Sequence, residues 1–466
     1  MLRQEFVVGG WTESDRRPFR ALLIGVYTDD RLMYVGRMGK AFSEAELIHL
    51  SQMLRKLEVT ESPFVNRADP DATPHWVRPE IVIEAKFTEW TQGGKLREPT
   101  YIGLRTDVSP KNVHREAIVP LPDGPRLLTV TRDKYGGRRG RTGRTDARAS
   151  DEATDLIAQL NRIEKHGGTG MLTFKDSHTL KVSHLNRDIW PSLGLTKADL
   201  LRYYVTVAPY LLPTIEHRPL TYRPYPGGAE APPDSYHQRV KHQVPSGVRV
   251  EPLKGNTKEY GPRFIGGSLM TLLYTIQIGA ISQDPWLSRV HSPDYPDLAV
   301  LDLDPMPGVP FRHVIEVARW VKDELDGHRI SGFLKTSGAT GLHVYIPLAP
   351  STSFQEAWRF CEMLAQLVAV KHPDHATAER VIEKRGRKVY VDYLQNLPGK
   401  TMATAYSVRA TPYAGVSVPL RWEELHDDLA PQDFTIKTTA SRLARCGDVW
   451  APIYTTPGIK LHASKR

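Results

Sequence analysis

The sequence predicts a multidomain fold, with an N-terminal β-barrel and a C-terminal α/β domain. At 466 residues the chain is too long for one compact core. Strand-like runs dominate the first hundred or so residues, whereas strands alternate with helices from about residue 171 onward. We therefore expect three segments: a barrel over residues 1–108, a basic flexible linker over residues 109–170 and an α/β domain over residues 171–466.

The N-terminal segment reads as strands with one helix. FVVGGW, ALLIGVYT and LMYVGRMG are β-rich runs separated by Gly, Asp and Ser turn signals. In SEAELIHLSQMLRKLEV, Leu47, Leu50, Leu54 and Leu57 recur at helical spacing, and Ser43 is a candidate N-cap. WVRPEIVIEAKFTEWT and PTYIGLR resume the strand pattern. About five strands with one helix favour a Greek-key barrel of the OB type, and another small β-barrel is the alternative.

The middle of the chain changes composition. DKYGGRRGRTGRTDARAS is rich in Gly and Arg and has almost no apolar residue, which predicts a flexible basic linker. We prefer a plain solvated tether to one that contacts DNA nonspecifically. DEATDLIAQLNRIEKHG, in the later part of this segment, is typical of a helix.

The C-terminal segment alternates helices and strands. Helices are predicted at TKADLLRYYVTVAPYLLPTI, SLMTLLYTIQIGAI, FRHVIEVARWVKDELDG and FQEAWRFCEMLAQLVAVKH. Strands are predicted at LAVLDLDP and KVYVDYLQN, with a hairpin-like pair at GFLKTSGATGLHVYIPL. This alternation predicts an α/β domain.

Composition limits the class of protein. The formal net charge of +9 suits a phosphate-backbone binder, although enzymes with anionic substrates are often as basic. No run of eighteen apolar residues and no secretory pattern at MLRQEFVVGGWTE occur, so we expect no membrane partner. The two cysteines, Cys361 and Cys446, are far apart, which disfavours a disulfide framework or a structural zinc site and suits the cytoplasm.

The strongest candidate site begins at LAVLDLDP. Because side chains alternate along a strand, Asp302 and Asp304 project from one face. Two carboxylates on one face can hold hard divalent cations, and an apolar strand disfavours them unless something compensates their charge. Strand-end capping is the alternative. A second Asp-x-Asp, at Asp69 and Asp71, lies in a Pro-containing loop and is given no role.

A second candidate is KTSGATGLHVYIPL. The turn from Ser337 through Thr340 offers backbone N–H groups and hydroxyls to phosphate oxygens. Alternation then places His343 and Tyr345 on one face of the following strand. A lone strand histidine is usually a structural hydrogen-bonding residue, but its position after this turn favours phosphate binding.

A third candidate is KRGRKVYVDYLQN. Lys384, Arg385, Arg387 and Lys388 precede a strand that contains Asp392 between apolar neighbours. One interpretation is a solvated basic loop and a buried acid paired with an arginine. The other is a third metal-binding carboxylate beside cations that bind a triphosphate.

With these pieces in order, residues 180–430 resemble the polymerase domain of bacterial DNA ligase D, of the archaeo-eukaryotic primase-polymerase superfamily. The resemblance is carried by TKADLLRYYVTVAPYLLP, RPLTYRPYPGG, PWLSR, VLDLDP, SGATGLHVYIPL, RKVYVDYLQN and YSVRATPYAGVSVPLRWEEL. It implies a C-terminal primase-polymerase domain.

The resemblance also implies roles for individual residues. The carboxylates that bind two Mn²⁺ or Mg²⁺ ions correspond to Asp302, Asp304 and Asp392. Positions that contact the incoming nucleoside triphosphate correspond to Ser337, Thr340, His343, Arg385 and Arg409. Positions that bind the 5′-phosphate of a broken DNA end correspond to Arg187 and Lys197. A segment that stacks against the template strand corresponds to Tyr236 and Gln238, and aromatic stacking suits any base sequence.

Three positions depart from the family pattern. Thr340 stands where the family commonly has a lysine, and Asp284 stands where it has a histidine. The loss of a cation and the gain of an anion near a triphosphate both weaken nucleotide binding. Arg187 replaces the usual first lysine of the 5′-phosphate pocket and keeps its charge.

Residues 1–108 resemble the C-terminal OB domain of an ATP-dependent DNA ligase of the ligase D type. The matching stretches are EFVVGGWTE, YVGRMGKAFSE, EAKFTEWT and LREPTYIGLRTD. The last stretch is similar to the ligase motif that reaches the ATP pyrophosphate, and its candidates are Arg97, Arg105 and Lys86. Strand-end arginines without such a role are the alternative.

Ligase chemistry needs a nucleophilic lysine in a Lys-x-Asp-Gly setting, and the sequence contains no such motif. No His- or Cys-rich nuclease module precedes the barrel either. We therefore expect no nick sealing by the chain alone, although it could complete a ligase with a separate adenylation domain.

The sequence as a whole predicts a cytoplasmic, nucleoid-associated nucleotidyltransferase that acts on DNA ends in non-homologous end joining. Ribonucleotide use and cooperation with the bacterial Ku protein are implied by the resemblance alone. The alternatives are a non-catalytic DNA-end-binding protein, with Thr340 and Asp284 marking decayed nucleotide binding, and an accessory part of a split ligase.

Overall fold

The structure is a computed structural model that describes residues 2–461, apart from residues 16, 29, 67, 71, 88–89, 92, 106–109, 114–129, 133–146, 238, 241 and 256–258. Contacts between Cα atoms divide the chain into two compact units. The first comprises Met1–Gly124 together with Glu379–Gly386, and the second comprises Pro125–Ala378 together with Arg387–Arg466. Most of the Gly- and Arg-rich segment of the predicted linker lies outside the described residues.

The first unit is built from strands and one helix. Its elements are β1 (Leu2–Thr12), β2 (Ala21–Thr28), β3 (Arg31–Met38), α1 (Glu44–Arg55), β4 (Glu58–Val59), β5 (Pro74–Phe87), β6 (Thr100–Leu104) and a 3₁₀ turn (Pro110–Asn112). Helix α1 begins with the predicted N-cap: the Oγ of Ser43 accepts from the N–H of Glu46, whose carboxylate accepts from the N–H of Ser43. Leu50 and Leu54 of α1 are buried in the core of this unit.

The strands of the first unit form one antiparallel sheet. Its order is β3-β2-β1-β5-β4, and β6 also pairs with β5. After β5 the chain returns to the β3 side, where the N–H of Leu96 donates to the O of Val35 (2.8 Å) and the N–H of Tyr101 to the O of Lys40 (3.3 Å). These bonds link the two sides of the sheet, and the predicted OB-type fold is confirmed.

The second unit contains six helices and many short strands among the described residues. The helices are α2 (Ala147–Lys165), α3 (Lys197–Ile215), α4 (Leu269–Gln277), α5 (Phe311–Gly327), α6 (Phe354–Lys371) and α7 (Thr439–Cys446). The strands are β7 (Val130–Arg132), β8 (Gly170–Thr173), β9 (Thr179–Val182), β10 (Asp188–Trp190), β11 (Leu195–Thr196), β12 (Leu220–Thr221), β13 (Val250–Lys254), β14 (Glu259–Phe264), β15 (Asp284–Pro285), β16 (Ser288–Arg289), β17 (Ser292–Pro296), β18 (Leu298–Pro305), β19 (Phe333–Thr336), β20 (Leu342–Pro347), β21 (Ala376–Thr377), β22 (Val389–Asp392), β23 (Pro419–Leu420) and β24 (Ile459–Leu461). Further 3₁₀ turns of this unit cover Pro191–Leu193, Trp422–Glu424, Pro431–Asp433 and Ala451–Tyr454, and a 3₁₀ turn at Ile382–Lys384 lies in the segment that groups with the first unit.

The central sheet of the second unit has the order β21-β22-β18-β20-β19-β23. All neighbours are antiparallel except β21 and β22, which are parallel. Helices α5 and α6 pack on this sheet, which confirms the predicted α/β architecture. Along β18, Leu301 and Leu303 alternate with the two aspartates and are fully buried.

Helix α2 belongs to the second unit, although it lies inside the segment predicted as a linker. Its Leu156 and Leu160 are fully buried in the core of that unit, and the helix packs against α3 and β8. The apolar spacing of Leu156 and Leu160 along the helix accounts for this docking. No helix among the described residues is both long and apolar enough to cross a lipid bilayer.

Candidate active site

Three aspartates meet where β18 lies between β20 and β22. Asp302 of β18 is the cross-strand partner of Asp392 in β22, and Asp304 is the partner of Tyr390. Cross-strand partners point to the same face of a sheet, so the three carboxylates converge. One carboxylate oxygen from each of Asp302, Asp304 and Asp392 lies within 4.8 Å of the other two. The three predicted metal-binding residues are therefore brought together.

The carboxyl of Asp302 has a raised pKa. Burial, and then the neighbouring charge of Asp392, raise the pKa of Asp302 to about 7. Its Oδ1 is buried and makes no hydrogen bond within the described structure, although Nε2 of His343 lies 3.2 Å away. Asp392 is held differently, because its carboxylate accepts from the N–H of Leu394 (2.8 Å) and from Nε2 of Gln395 (3.1 Å).

This donor set fits hard divalent cations. All three groups offer carboxylate oxygen, which Mg²⁺ and Mn²⁺ prefer. The buried oxygen of Asp302 without a hydrogen bond is costly in a metal-free protein, and a cation would compensate its charge. The residues present therefore fit the metal that the sequence resemblance implies.

A row of polar side chains extends from the carboxylates across the sheet. Lys335 of β19 is the cross-strand partner of His343 in β20, which is the partner of Asp302. Lys335 is fully buried, and its Nζ lies 2.6 Å from Nδ1 of His343. The same Nζ donates to the O of Ala403 (2.8 Å) and to the Oγ of Ser417 (2.6 Å). Lys335 is not among the residues predicted from the sequence, although a lysine in a strand two positions before Ser337 was a usable signal.

The charge state of His343 follows from this environment. Burial lowers the pKa of His343 well below its usual value, and the cations of Lys335 and Arg409 lower it further. The imidazole is therefore neutral at physiological pH. When Lys335 is protonated, Nδ1 accepts from it and the single imidazole proton lies on Nε2, which faces Asp302. His343 is then a hydrogen-bond donor toward the carboxylate cluster.

Ser337 makes several hydrogen bonds within the turn before β20. The Oγ of Ser337 accepts from the N–H of Ala339 (3.1 Å) and of Gly341 (3.0 Å), and the N–H of Ser337 donates to the O of Gly341 (2.9 Å). In the described part of the chain, this leaves the N–H groups of Gly338 and Thr340 for a ligand. Thr340 is exposed.

Gly338 is required by its surroundings. Its φ is +76°, and a Cβ there would lie 2.7 Å from Cγ of Arg409 and 2.9 Å from the N of Ser417. The side chain of Arg409 thus lies directly against the turn. Its positive charge acts on both Asp302 and Asp284. Arg409 therefore lies within electrostatic range of both carboxylates, and its proposed contact with the nucleotide stays a prediction.

Asp284 lies in the same electrostatic environment. It is buried and accepts from the Oγ of Ser282 (2.5 Å). Burial raises the pKa of Asp284, although the charges of Arg409 and Lys335 oppose the shift. A raised pKa favours the protonated, neutral form of Asp284, so burial reduces the negative charge at this position.

The two cations assigned to the 5′-phosphate are neighbours. The N–H of Lys197 donates to the O of Arg187 (2.9 Å). The Nζ of Lys197 donates to the O of Ser183 (3.1 Å) and of Gln277 (2.9 Å), and the side chain is only 6% exposed. Burial, and then the charge of Arg187, lower the pKa of Lys197 to about 8. Arg187 is exposed.

Of the two residues assigned to the template, the structure describes one. Tyr236 is 47% exposed, with the guanidinium carbon of Arg223 4.9 Å from the centre of its ring. Gln238 lies outside the described residues. An exposed aromatic ring is available for stacking on a base.

Arg385 is described by the contacts of its own segment. It follows the 3₁₀ turn Ile382–Lys384, within the segment that groups with the first unit. Its guanidinium donates to the O of Glu379 (2.8 Å) and of Arg380 (3.3 Å). These contacts hold the arginine against its own loop.

In the first unit, the three ligase-motif candidates differ in environment. Arg105 pairs with Glu5 (3.0 Å) and Glu84 (3.5 Å), and about a fifth of each side chain is exposed. Arg97 is exposed, and Lys86 is half-buried on β5. The ion pairs give Arg105 a structural role within the sheet.

Comparison with known proteins decides the family. Residues 196–450 match the family described as the LigD primase-polymerase domain, which is more than half of the chain. The chain belongs to the LigD family. Residues 15–108 match the C-terminal region of ATP-dependent DNA ligases, so both predicted resemblances are confirmed.

One relative matches nearly the whole of this LigD-family chain, and another matches a little more than half of it. A multifunctional non-homologous end joining protein LigD of Pseudomonas aeruginosa is 30% identical over 459 residues, which is 97% of this chain and 50% of that protein. A bifunctional non-homologous end joining protein LigD of Bacillus subtilis is 30% identical over 60% of this chain and 44% of that protein. The chain therefore spans about half, or less, of the length of each of these relatives.

A solved structure supports the fold of the C-terminal part. The polymerase domain of Mycobacterium tuberculosis ligase D, solved in complex with DNA, is 28% identical with a TM-score of 0.55. The match covers 60% of this chain and 99% of that structure. The second unit thus has the fold of a LigD polymerase domain.

Proposed function

We propose that this LigD-family chain extends DNA 3′ ends at double-strand breaks by template-directed nucleotidyl transfer. The observation that carries the proposal is the convergence of Asp302, Asp304 and Asp392 in a domain with the LigD polymerase fold. The net charge of +9 supports a DNA substrate. The relatives named for non-homologous end joining support break repair as the setting.

In this proposal the three carboxylates hold two Mn²⁺ or Mg²⁺ ions. When bound, such ions activate the primer 3′-hydroxyl and neutralise charge that develops on the triphosphate. The Nε2–H of His343 donates a hydrogen bond to a phosphate oxygen of the incoming nucleotide, and Arg409 adds a positive charge beside the turn. Ser337 holds the shape of that turn, and Thr340 completes the proposed nucleotide contacts there. The nucleotide contact assigned to Arg385 rests on the family resemblance alone.

The same proposal assigns the DNA contacts. Arg187 and Lys197 bind the 5′-phosphate of a recessed end, because two adjacent cations suit a dianionic phosphate. Tyr236, with Gln238, stacks on the template strand. These contacts would place a 3′ end at the carboxylates only when a recessed, phosphorylated 5′ end is present.

The proposal also covers the N-terminal unit and the partners of the chain. We propose that residues 1–108 act as a ligase accessory domain, with Arg97, Arg105 and Lys86 reaching ATP only beside an adenylation domain. Cooperation with Ku and ribonucleotide use follow from the family resemblance, whereas a cytoplasmic location follows from the two distant cysteines. The three-part division at residues 108 and 170 also stays a prediction, and the docking of α2 favours a shorter linker.

Primer extension on a DNA with a recessed 5′-phosphate tests the proposal. We expect extension by the wild type with Mn²⁺ and none by Asp302→Asn. Asp69→Asn is a matched control, since Asp69 belongs to the other Asp-x-Asp in the sequence and should leave extension unchanged. DNA-end binding by the wild type without any extension would instead support the non-catalytic end-binding protein.

A further inference from the structure

A second group of metal-binding side chains lies on the helical layer of the same unit. His313 and Glu316 are on α5, and His375 follows α6. One possible ligand atom from each of the three lies within 4.8 Å of the other two. All three side chains are half-buried, so the group is accessible to an ion from solvent. None of them has a part in the nucleotidyl transfer proposed above.

The fold brings these three residues together, and none of the three aspartates belongs to this group. Residues three apart on a helix share a face, so His313 and Glu316 project side by side from the first turns of α5. His375 meets them from the chain after α6: its Nδ1 is 2.8 Å from Oε2 of Glu316, and its ring centre is 4.3 Å from that of His313.

The electrostatics suit a cation at this position. Two imidazoles this close repel each other when both are protonated. Metal binding requires the neutral form of both imidazoles, so a bound divalent ion removes this repulsion. Glu316 supplies the one negative charge, and it already orients the ring of His375 through Nδ1.

We propose that His313, Glu316 and His375 form a binding site for a divalent transition-metal ion of the Zn²⁺ class. Imidazole nitrogen with one carboxylate suits Zn²⁺ and Co²⁺, whereas Mg²⁺ prefers oxygen alone. The same unit therefore carries two donor sets with different metal preferences. The three aspartates offer oxygen only, whereas His313, Glu316 and His375 offer nitrogen with oxygen. This inference does not depend on the proposed polymerase function.

The position of the site indicates a structural role for the ion. The O of His375 accepts from the N–H of Val389 at the start of β22 (2.7 Å), and β21 begins at the next residue, Ala376. Strand β22 ends in Asp392. A metal ion shared by α5 and His375 would tie the start of the helix to the edge of the sheet that carries this aspartate.

The test is a Co²⁺ titration of the full chain in excess Mg²⁺, followed by visible absorption, with Zn²⁺-dependent melting as a second measurement. We expect wild type, Asp302→Asn and His328→Gln to bind one equivalent of Co²⁺ and to gain a few degrees in Tm with Zn²⁺. His328 is the matched control because it lies at the end of α5, outside the group.

His313→Gln and His375→Gln should bind Co²⁺ about 10-fold or more weakly and lose the Tm gain. If either histidine variant fails to fold by circular dichroism, Glu316→Gln replaces it with the same expectation. The proposal is overturned if the wild type shows no one-equivalent binding, or if the variants in the group bind Co²⁺ as the wild type does.

Discussion

The Nζ of Lys335 lies 2.6 Å from Nδ1 of His343, and the opposite nitrogen of the same ring, Nε2, lies 3.2 Å from Oδ1 of Asp302. A buried lysine thus contacts one nitrogen of the histidine ring, and the other nitrogen faces the carboxylate cluster. The register of β19, β20 and β18 fixes this order, because the three residues are successive cross-strand partners.

Lys335 should therefore act as a positioning residue for His343. We expect Lys335→Met to raise the KM for the nucleotide and to lower kcat/KM about 10- to 100-fold, since Nε2 of His343 would lose its fixed proton. Steady-state primer extension with varied nucleotide concentration measures this. Ser417→Ala is the control, because it removes another hydrogen bond of Lys335 but leaves His343 in contact. Equal losses in both variants would show that Lys335 is only structural.

Asp302 should make metal-free stability depend on pH. Its pKa is raised from 3.8 to about 7 in the folded protein, so the native state binds more protons than the unfolded state between these values. The stability associated with protonated Asp302 is therefore lost as pH rises from about 4 through about 7. Mn²⁺ should restore it above pH 7 and have little effect at pH 5. Melting curves of wild type and Asp302→Asn test this, and identical pH profiles would contradict it.

Lys197 should make recognition of the 5′-phosphate depend on pH. Its pKa is lowered to about 8, so the ammonium loses its charge as pH rises through that value. We expect the affinity ratio between 5′-phosphate and 5′-hydroxyl ends to fall between pH 7 and pH 9.5, with a midpoint at or above about 8 because bound phosphate favours the charged form. Fluorescence anisotropy with both DNAs measures the ratio. A ratio that is constant over this range would exclude Lys197 as the phosphate ligand.

Restoring a cation at the phosphate turn should strengthen nucleotide binding. Thr340 is exposed in that turn, so Thr340→Lys has room for a long side chain. One added charge near a triphosphate should lower the nucleotide KM about 2- to 10-fold at low salt, and less at high salt. Ser331→Lys adds the same charge at an exposed position before β19 and is the control. An equal gain in both variants would attribute the effect to net charge.

Much of the site could be predicted from the sequence, because strand alternation is a local property. Period-two spacing placed Asp302 and Asp304 on one face, and the apolar strand around Asp392 marked it as unusual. The pairing of Asp302 with Asp392 could not be predicted from spacing, because register depends on the tertiary arrangement of strands distant in sequence. The family resemblance supplied that information.

The features that were missed depend on long-range contacts. Lys335 contacts Ala403 and Ser417, which are 68 and 82 residues away, so its place two residues before Ser337 indicates that it lies near the site but not what it contacts. Ser337 stays a proposed phosphate contact, and the sequence did not show that its hydroxyl oxygen also accepts two hydrogen bonds within the turn. The helix containing Leu156 and Leu160 was placed in a linker because the Gly- and Arg-rich run before it dominated the composition, although its apolar face docks in the core.

The central claim is that Asp302, Asp304 and Asp392 hold catalytic divalent ions. The most direct measurement is the rate of primer extension against Mn²⁺ concentration for wild type and Asp392→Asn, with circular dichroism to verify folding. We expect a saturable Mn²⁺-dependent rate in the wild type and a loss of about 100-fold or more in Asp392→Asn. Extension by folded Asp392→Asn at the wild-type rate and Mn²⁺ dependence would contradict the claim.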